Sequence, residues 1–364
     1  MRFALPGVVV LLLAMLAQVS SASAAAWDVS KMATGGNGTL ANPWRGWDAT
    51  VQQYSKAGQK GISLYFPQGH FLLTRPIDFL AGWRIRGEGM ENSCIITPKT
   101  YTQSGIRIVG PSNQQISGWN DISDITIQCG DVSEKANGVG IECVGYGHLS
   151  FTNVRVMNWK YGITLDQAAL VYINRCHFIM QSPNNLIGLW IVNGEARIPG
   201  QWGGATNVIH VDQCNFNGSS TQGQMFIVDD GGYAHSITRN HFGAGGGAGF
   251  YAGVFNLLLE NNYYETFRGP LVTFDYRQFH RKYGVGQCKS ANLLNEMFSN
   301  GNRVAIEIVS MGTAAINGCG FYGKPDDGKP PIVGAGHAYS LTGSGNTWIP
   351  EIPLSDAAFG KETK

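Results

Sequence analysis

The densest chemistry in this sequence lies in one stretch, Phe274-Asp-Tyr-Arg-Gln-Phe-His-Arg-Lys-Tyr283. It gathers Asp275, Tyr276, Arg277, His280, Arg281, Lys282 and Tyr283. Cations beside a histidine or tyrosine can bind a uronate carboxylate, lower the barrier to removing its α-proton and supply the base, as β-elimination and epimerisation require. A solvated basic loop accounts for the same residues. A second group, Val228-Asp229-Asp230-Gly-Gly-Tyr-Ala-His235, sets two carboxylates side by side. Paired carboxylates serve glycosidic hydrolysis, one protonating the leaving oxygen while the other activates water or attacks. The same residues read equally well as a calcium site or a plain Asp-Gly turn. Arg277, His280 and Lys282 are thus the candidates for elimination, and Asp229, Asp230 and Asp275 those for hydrolysis.

These residues hang on a repeat. Val171-Tyr-Ile-Asn-Arg-Cys-His-Phe178 has copies ending at Ile127, Val156, Phe216, Phe242, Tyr264, Phe298 and Phe321. Successive ends are 29, 22, 38, 26, 22, 34 and 23 residues apart. The minimum period is therefore near 22, with the excess in insertions. Each copy alternates apolar and polar residues around an Asn, Asp or other residue that tolerates a tight bend. A second short strand follows, usually introduced by Gly: Gly140-Ile-Glu-Cys-Val, Gly162-Ile-Thr-Leu-Asp, Gly188-Leu-Trp-Ile-Val. Two or three short strands per 22 residues leave no room for helices, and the Leu-x-x-Leu-x-Leu pattern of a leucine-rich repeat is absent. The expected architecture is all-β, a right-handed single-stranded parallel β-helix in which inward side chains of one type stack from coil to coil. Cys176, Cys214 and Cys319 share one such position, with Asn240 and Asn262 alongside.

Length and composition agree. The 364 residues include 49 glycines and are only 14% charged, which fits a turn-rich all-β chain and argues against disorder or a coiled coil. Arg2, the apolar run Val8 to Leu16 and Ala22-Ser23-Ala24 mark residues 1–26 as a secretory signal peptide, so the protein is expected to be secreted or periplasmic. No later segment is expected to span a membrane. Without Arg2 the chain holds 25 basic and 25 acidic residues, which gives no electrostatic case for nucleic acid or an anionic membrane. The seven cysteines show no C-x-x-C pair or zinc spacing; export would allow disulfides, but the repeat alignment turns three of them inward as small apolar fillers. Residues 27–60 form a lead-in and capping helix, 61–350 the β-helix and 351–364 a tail. The helix is expected over Ala49 to Ala57, capped by Asp48, ended by Gly58 and covering the open first coil.

A capping helix, then Leu64-Tyr-Phe-Pro-Gln-Gly-His-Phe, then Pro76-Ile-Asp-Phe and Ile85-Arg-Gly-Glu-Gly resembles the opening of the pectate-lyase-superfamily β-helix proteins. These include rhamnogalacturonase-like and epimerase-like enzymes and phage tailspike depolymerases. The resemblance covers residues 45–97 in detail and continues in repeat style to about 348. Asn42-Pro-Trp-Arg-Gly-Trp-Asp replaces the family's Gly-Asp-Gly-x-x-Asp-Asp segment, and the Gly-His-Gly and Arg-Ile-Lys signatures of polygalacturonase-like hydrolases are missing. The resemblance implies an extracellular polysaccharide as partner, one that contains uronic acid, and substrate lying along the Gly-introduced strands. It also leaves room for a homotrimer.

Strand alternation then assigns faces. With Ile141, Ile163, Leu189, Met225, Phe250, Val272 and Ile306 inward, Glu142, Thr164, Asp166, Trp190, Phe226, Tyr251, Thr273, Asp275 and Glu307 face outward. Asp166, Trp190, Tyr251 and Glu307 are the expected substrate-binding residues, aromatic faces against sugar rings and carboxylates against hydroxyls. An ordinary solvated sheet face is the bland alternative. At the level of function, the competing reading is a non-catalytic glycan-binding or surface β-helix protein. No cofactor is required, with Ca2+ the one that the acidic loops would suit.

Overall fold

The computed structural model describes residues 26–349 except 99, 111–115, 131–137, 183–184, 193–205, 220–223, 231, 244–249, 253–254, 266–268, 276–289, 300–303 and 323–331. Every pairing between its named strands is parallel, and each coil stacks on the one before, as a right-handed parallel β-helix requires. Three sheets form the wall. The first runs from Ile77–Asp78 through Ser104–Val109, Val139–Val144, Tyr161–Asp166, Ile187–Val192, Met225–Asp229, Phe250–Ala252 and Val272–Asp275 to the start of Ile306–Asn317. The second runs from Ser63–Phe66 and Arg84–Gly87 through the long strands Ile116–Cys129 and Tyr146–Met157 to Ala169–Asn174, Asn207–Asp212, Tyr233–Thr238, Phe255–Glu260 and Ser290–Leu294. The third holds the short strands that end each repeat copy, among them His177–Met180, Asn215–Gly218, His241–Gly243 and Tyr263–Glu265.

The bend between the second and third sheets explains the repeat signature. Asp124, Asn153, Arg175, Gln213, Arg239, Asn261 and Asn295 all have φ between 52° and 56° there. In that conformation the chain turns sharply and the next side chain points back into the coil. That side chain forms the ladder Cys176, Cys214, Asn240, Asn262, Glu296, Cys319, and all six are buried. The three cysteines behave as the fillers expected, and the six described cysteines are all buried and unbridged. Two residues further on, Phe178, Phe216, Phe242, Tyr264, Phe298 and Phe321 stack face to face with ring centroids 4.4, 4.9, 4.8, 5.0 and 5.0 Å apart. That is the separation of neighbouring strands, so backbone pairing and ring stacking reinforce one another.

The helix spans Trp47–Lys56 and covers the first coil, with Trp47 edge-on to Phe66 at 5.2 Å and to Phe71 at 6.3 Å. Its N-cap is Gly46 and not Asp48. Asp48 lies inside the first turn, where its carboxylate accepts hydrogen bonds from the Thr74 N–H at 2.8 Å and the Thr74 hydroxyl at 2.6 Å. It pins the helix to the loop beyond Leu72 instead of closing it.

The inward assignment of Met225 also needs correction. Ile227 holds register with Leu189 below and Phe250 above, while Met225 pairs with Ile187 at the strand entrance and is half-buried. Phe226 is fully buried and not outward. It takes the place that Gly188 holds one rung below, and its ring joins the aromatic stack, 6.0 Å from Phe216 and 6.4 Å from Phe242. Inward packing of two successive residues breaks the alternation at that rung.

Candidate functional site

Register fixes the outer face of the first sheet. Rung by rung its outward positions are Arg107, Glu142, Thr164, Trp190, Val228, Thr273 and Glu307, of which Thr164, Val228 and Thr273 are buried. Near the middle, the Trp190 indole N–H donates to Asp230 Oδ2 at 2.6 Å. The Trp190 ring lies 5.1 Å from that of Tyr161 at an interplanar angle of 33°, and the Lys160 ammonium sits 5.4 Å from the Tyr161 centroid. An aromatic wall with a carboxylate fixed at its edge suits a sugar ring and one of its hydroxyls or its glycosidic oxygen.

Other carboxylates flank this centre. Glu142 accepts from the Ser104 hydroxyl at 2.6 Å, and Glu307 from the Thr273 hydroxyl at 3.4 Å. Arg107 donates from both Nε, at 2.7 Å, and Nη2 to the one Asp78 oxygen Oδ1. Asp166 and Asp275 close their strands and are buried, only 1% and 7% exposed. Leu165 stacks on Ile191, Ile191 on Asp229, Asp229 on Ala252 and Ala252 on Phe274. Asp166 and Asp275 therefore lie two rungs to either side of Asp230, about 10 Å away along the axis at ~4.8 Å per rung.

The two adjacent aspartates part company. Asp230 is half-buried on the outer side, whereas Asp229 is the last inward residue of its strand and is fully buried. His235 Nδ1 lies 2.6 Å from Asp229 Oδ2, and His235 Nε2 lies 3.2 Å from the Thr206 carbonyl oxygen. A carbonyl only accepts, so Nε2 carries its hydrogen, and one further proton sits between Nδ1 and the carboxylate. The pair is net neutral whichever atom holds it. Gly232 lets the chain pass close by: a Cβ there would come 2.2 Å from Thr206 O and 2.8 Å from the His235 ring, at φ 140°. A group in this position faces the coil interior and not a polymer outside.

Of the expected residues, Trp190 and Asp230 are thus brought together, while Asp166, Glu307 and Asp275 line the same sheet. Tyr251 holds its register between Val228 and Thr273. Arg277, His280 and Lys282 lie outside the described residues. His235 and Tyr161 are the additions. His235 follows an αL residue, Ala234 at φ 58°, just as Cys176 follows Arg175, and alanine gives no sequence sign of that bend. Among the described residues no three His, Cys, Asp or Glu side chains group to hold a metal ion, and no helix is long and apolar enough to cross a membrane.

No family model and no curated protein matches this sequence. Solved structures do match. PfbA, a surface protein and adhesin of Streptococcus pneumoniae, is 12% identical with a TM-score of 0.63 over 89% of this chain and 97% of its own. An alginate lyase from Paenibacillus is 12% identical with a TM-score of 0.57 over 83% and 93%. ORF18 of Geobacillus virus E2 is 15% identical with a TM-score of 0.61 over 90% of this chain, which spans only 62% of that longer one. At these identities the likeness is one of backbone, and it establishes the fold, a parallel β-helix.

Proposed function

We propose that this is an exported enzyme that cleaves or modifies an extracellular polysaccharide on the outer face of the first sheet. The observation that carries this reading is the Trp190–Tyr161–Asp230 centre, an aromatic wall with a hydrogen-bonded carboxylate, set midway between Asp166 and Asp275. Two carboxylates separated by about 6.5–9.5 Å suit an inverting hydrolase, and the two-rung spacing of about 10 Å along the axis falls just beyond that range, a gap that a side-chain rotation closes. Hydrolysis is accordingly the reaction that the described geometry supports best, with Asp230 as one member of the pair. Elimination from a uronate would instead run through Arg277, His280 and Lys282. A second reading has a specific basis in the likeness to a surface adhesin, whose fold matches over nearly its whole length. On that reading the same aromatic centre binds a glycan without turning it over.

One experiment separates the three. The protein lacking residues 1–26 is incubated with uronate-containing and neutral polysaccharides, with and without a calcium chelator. Reducing ends and the ultraviolet absorbance of unsaturated uronates are followed in parallel. Reducing ends alone, lost about 10²–10⁴-fold in Asp230→Asn, are the expected result. Both signals together would move the chemistry to the Arg277–Lys282 segment. Binding with neither signal would favour the adhesin reading.

A further inference from the structure

The outer face of the second sheet carries a feature that the first does not. At its N-terminal end, Tyr65, Arg84, Arg86, Glu88, Asp121 and Asp124 line an open groove of about 950 Å³, at the upper end of the usual size of ligand sites. Arg84 and Arg86 are exposed and alternate along one strand, with buried Ile85 between them. Acceptors surround them. Asp121 occupies the rung next to Arg84, and Asp124 Oδ2 lies 3.9 Å from Arg86 Nε. The Tyr65 hydroxyl donates to Glu88, whose other oxygen accepts from the Gln68 N–H at 3.0 Å. Guanidinium donors alternating with carboxylate acceptors match a ligand whose neighbouring groups both donate and accept, which is what the paired hydroxyls of a sugar do.

Exposed aromatic rings continue the groove along the axis. Trp119 and Tyr172 are 58% and 39% exposed and Tyr233 43%, although ordinary packing would bury such side chains. All three belong to the strands of this sheet. Trp119 stacks on His148 at 5.1 Å and 26°, and Tyr172 on His210 at 5.1 Å and 9°. Register puts Arg84, Asp121, Ser150, Tyr172 and His210 on successive rungs of one row, with Trp119 two residues before Asp121 and Tyr233, one rung further, three residues before Ser236, the partner of His210. From Tyr65 to Tyr233 the line spans six rungs, about 29 Å at ~4.8 Å per rung. That length suits a polymer and not a single sugar.

We infer that the outer face of the second sheet is a glycan-binding track, separate from the first-sheet centre, that holds an extended polysaccharide segment by hydroxyl contacts at Arg84 and Arg86 and by ring stacking on Trp119 and Tyr172. The inference rests on the polysaccharide reading above, and its test keeps the two apart. Three variants, Arg84→Ala combined with Arg86→Ala, Trp119→Ala, and Tyr172→Ala, are compared with the wild type. Each is measured for affinity to the polysaccharide that the wild type binds most tightly, for turnover of a short oligosaccharide of the same sugar, and for oligomeric state. Expected is about tenfold weaker polymer binding in each variant, with short-substrate turnover unchanged. Unaltered polymer affinity in all three overturns the track and leaves the first-sheet reading standing. A wild type that binds no polysaccharide overturns both. A changed oligomeric state in the arginine variant assigns the face to contact between copies of this chain and overturns the track as well.

Discussion

Asp229 and Asp230 are joined by one peptide bond and lie on opposite sides of the coil wall. Inside, Asp229 meets His235 in a space without solvent exposure. Outside, Asp230 accepts a hydrogen bond from the Trp190 indole, both side chains half-buried. The difference teaches how a β-helix divides its polar residues. Those inside are there to satisfy backbone and side-chain partners across rungs, and those outside are available to a ligand. The polar end of the interior ladder follows the same rule. Asn240 Oδ1 accepts from the Cys214 N–H at 2.8 Å, Asn262 Oδ1 from the Asn240 N–H at 2.8 Å, and Glu296 Oε1 from the Asn262 N–H at 3.0 Å. Each bend leaves an N–H turned into the coil, and the next side chain up accepts it.

Breaking the interior pair is the severest test of this division. Asp229→Ala leaves His235 buried with one partner missing and should cost about 3–5 kcal/mol in denaturant unfolding. Asp229→Leu combined with His235→Leu should recover most of it, because the desolvation of both groups is then avoided. Equal loss in the single and double variants would contradict the account of the pair.

The next effect is a pH dependence from Glu296. Burial pushes its carboxyl from 4.5 up to about 8, against partial relief from the Asn262 hydrogen bonds. A carboxyl raised in the folded state binds its proton more tightly there than in the unfolded chain. Its contribution is therefore complete below pH 4.5 and is lost as pH rises towards about 8. Stability should fall across that window by a few kcal/mol, and Glu296→Gln should flatten the fall. A slope that persists in the variant would place its origin elsewhere. Asn262→Ala should come next, at about 1–3 kcal/mol, since it strips the acceptor from the buried Asn240 N–H.

On the outer wall the expectation reverses. Asp230→Asn and Trp190→Phe should each cost only about 1 kcal/mol, since both side chains are half-buried and share a single hydrogen bond. Melting curves that drop as far as those of Asp229→Ala would erase the distinction between wall and interior.

Much of the architecture was legible because one constraint repeats. A 22-residue period, a bend residue and an inward small or aromatic side chain recur in coil after coil, so Cys176, Cys214, Asn240 and Asn262 align on sequence alone. Faces were less legible. Alternation fails where Phe226 replaces a glycine and packs inward beside Ile227, and Asp48 reads as a cap until Thr74 is seen to compete for its carboxylate. The groove of Tyr65, Arg84 and Asp121 left no local trace, since each residue is an ordinary polar position on its own strand.

What the sequence determined by itself was the coil: period, bend position and core ladder follow from local geometry and from the need of each rung to bury its apolar side against the next. What only the tertiary structure decided was adjacency between coils. Insertions of differing length separate residues such as Trp190 and Asp230, so parallel register, and not distance along the chain, sets which side chains share a face. The physical reason is that strand pairing fixes neighbours through backbone hydrogen bonds at ~4.8 Å spacing, whatever the length of the loop that leads from one rung to the next.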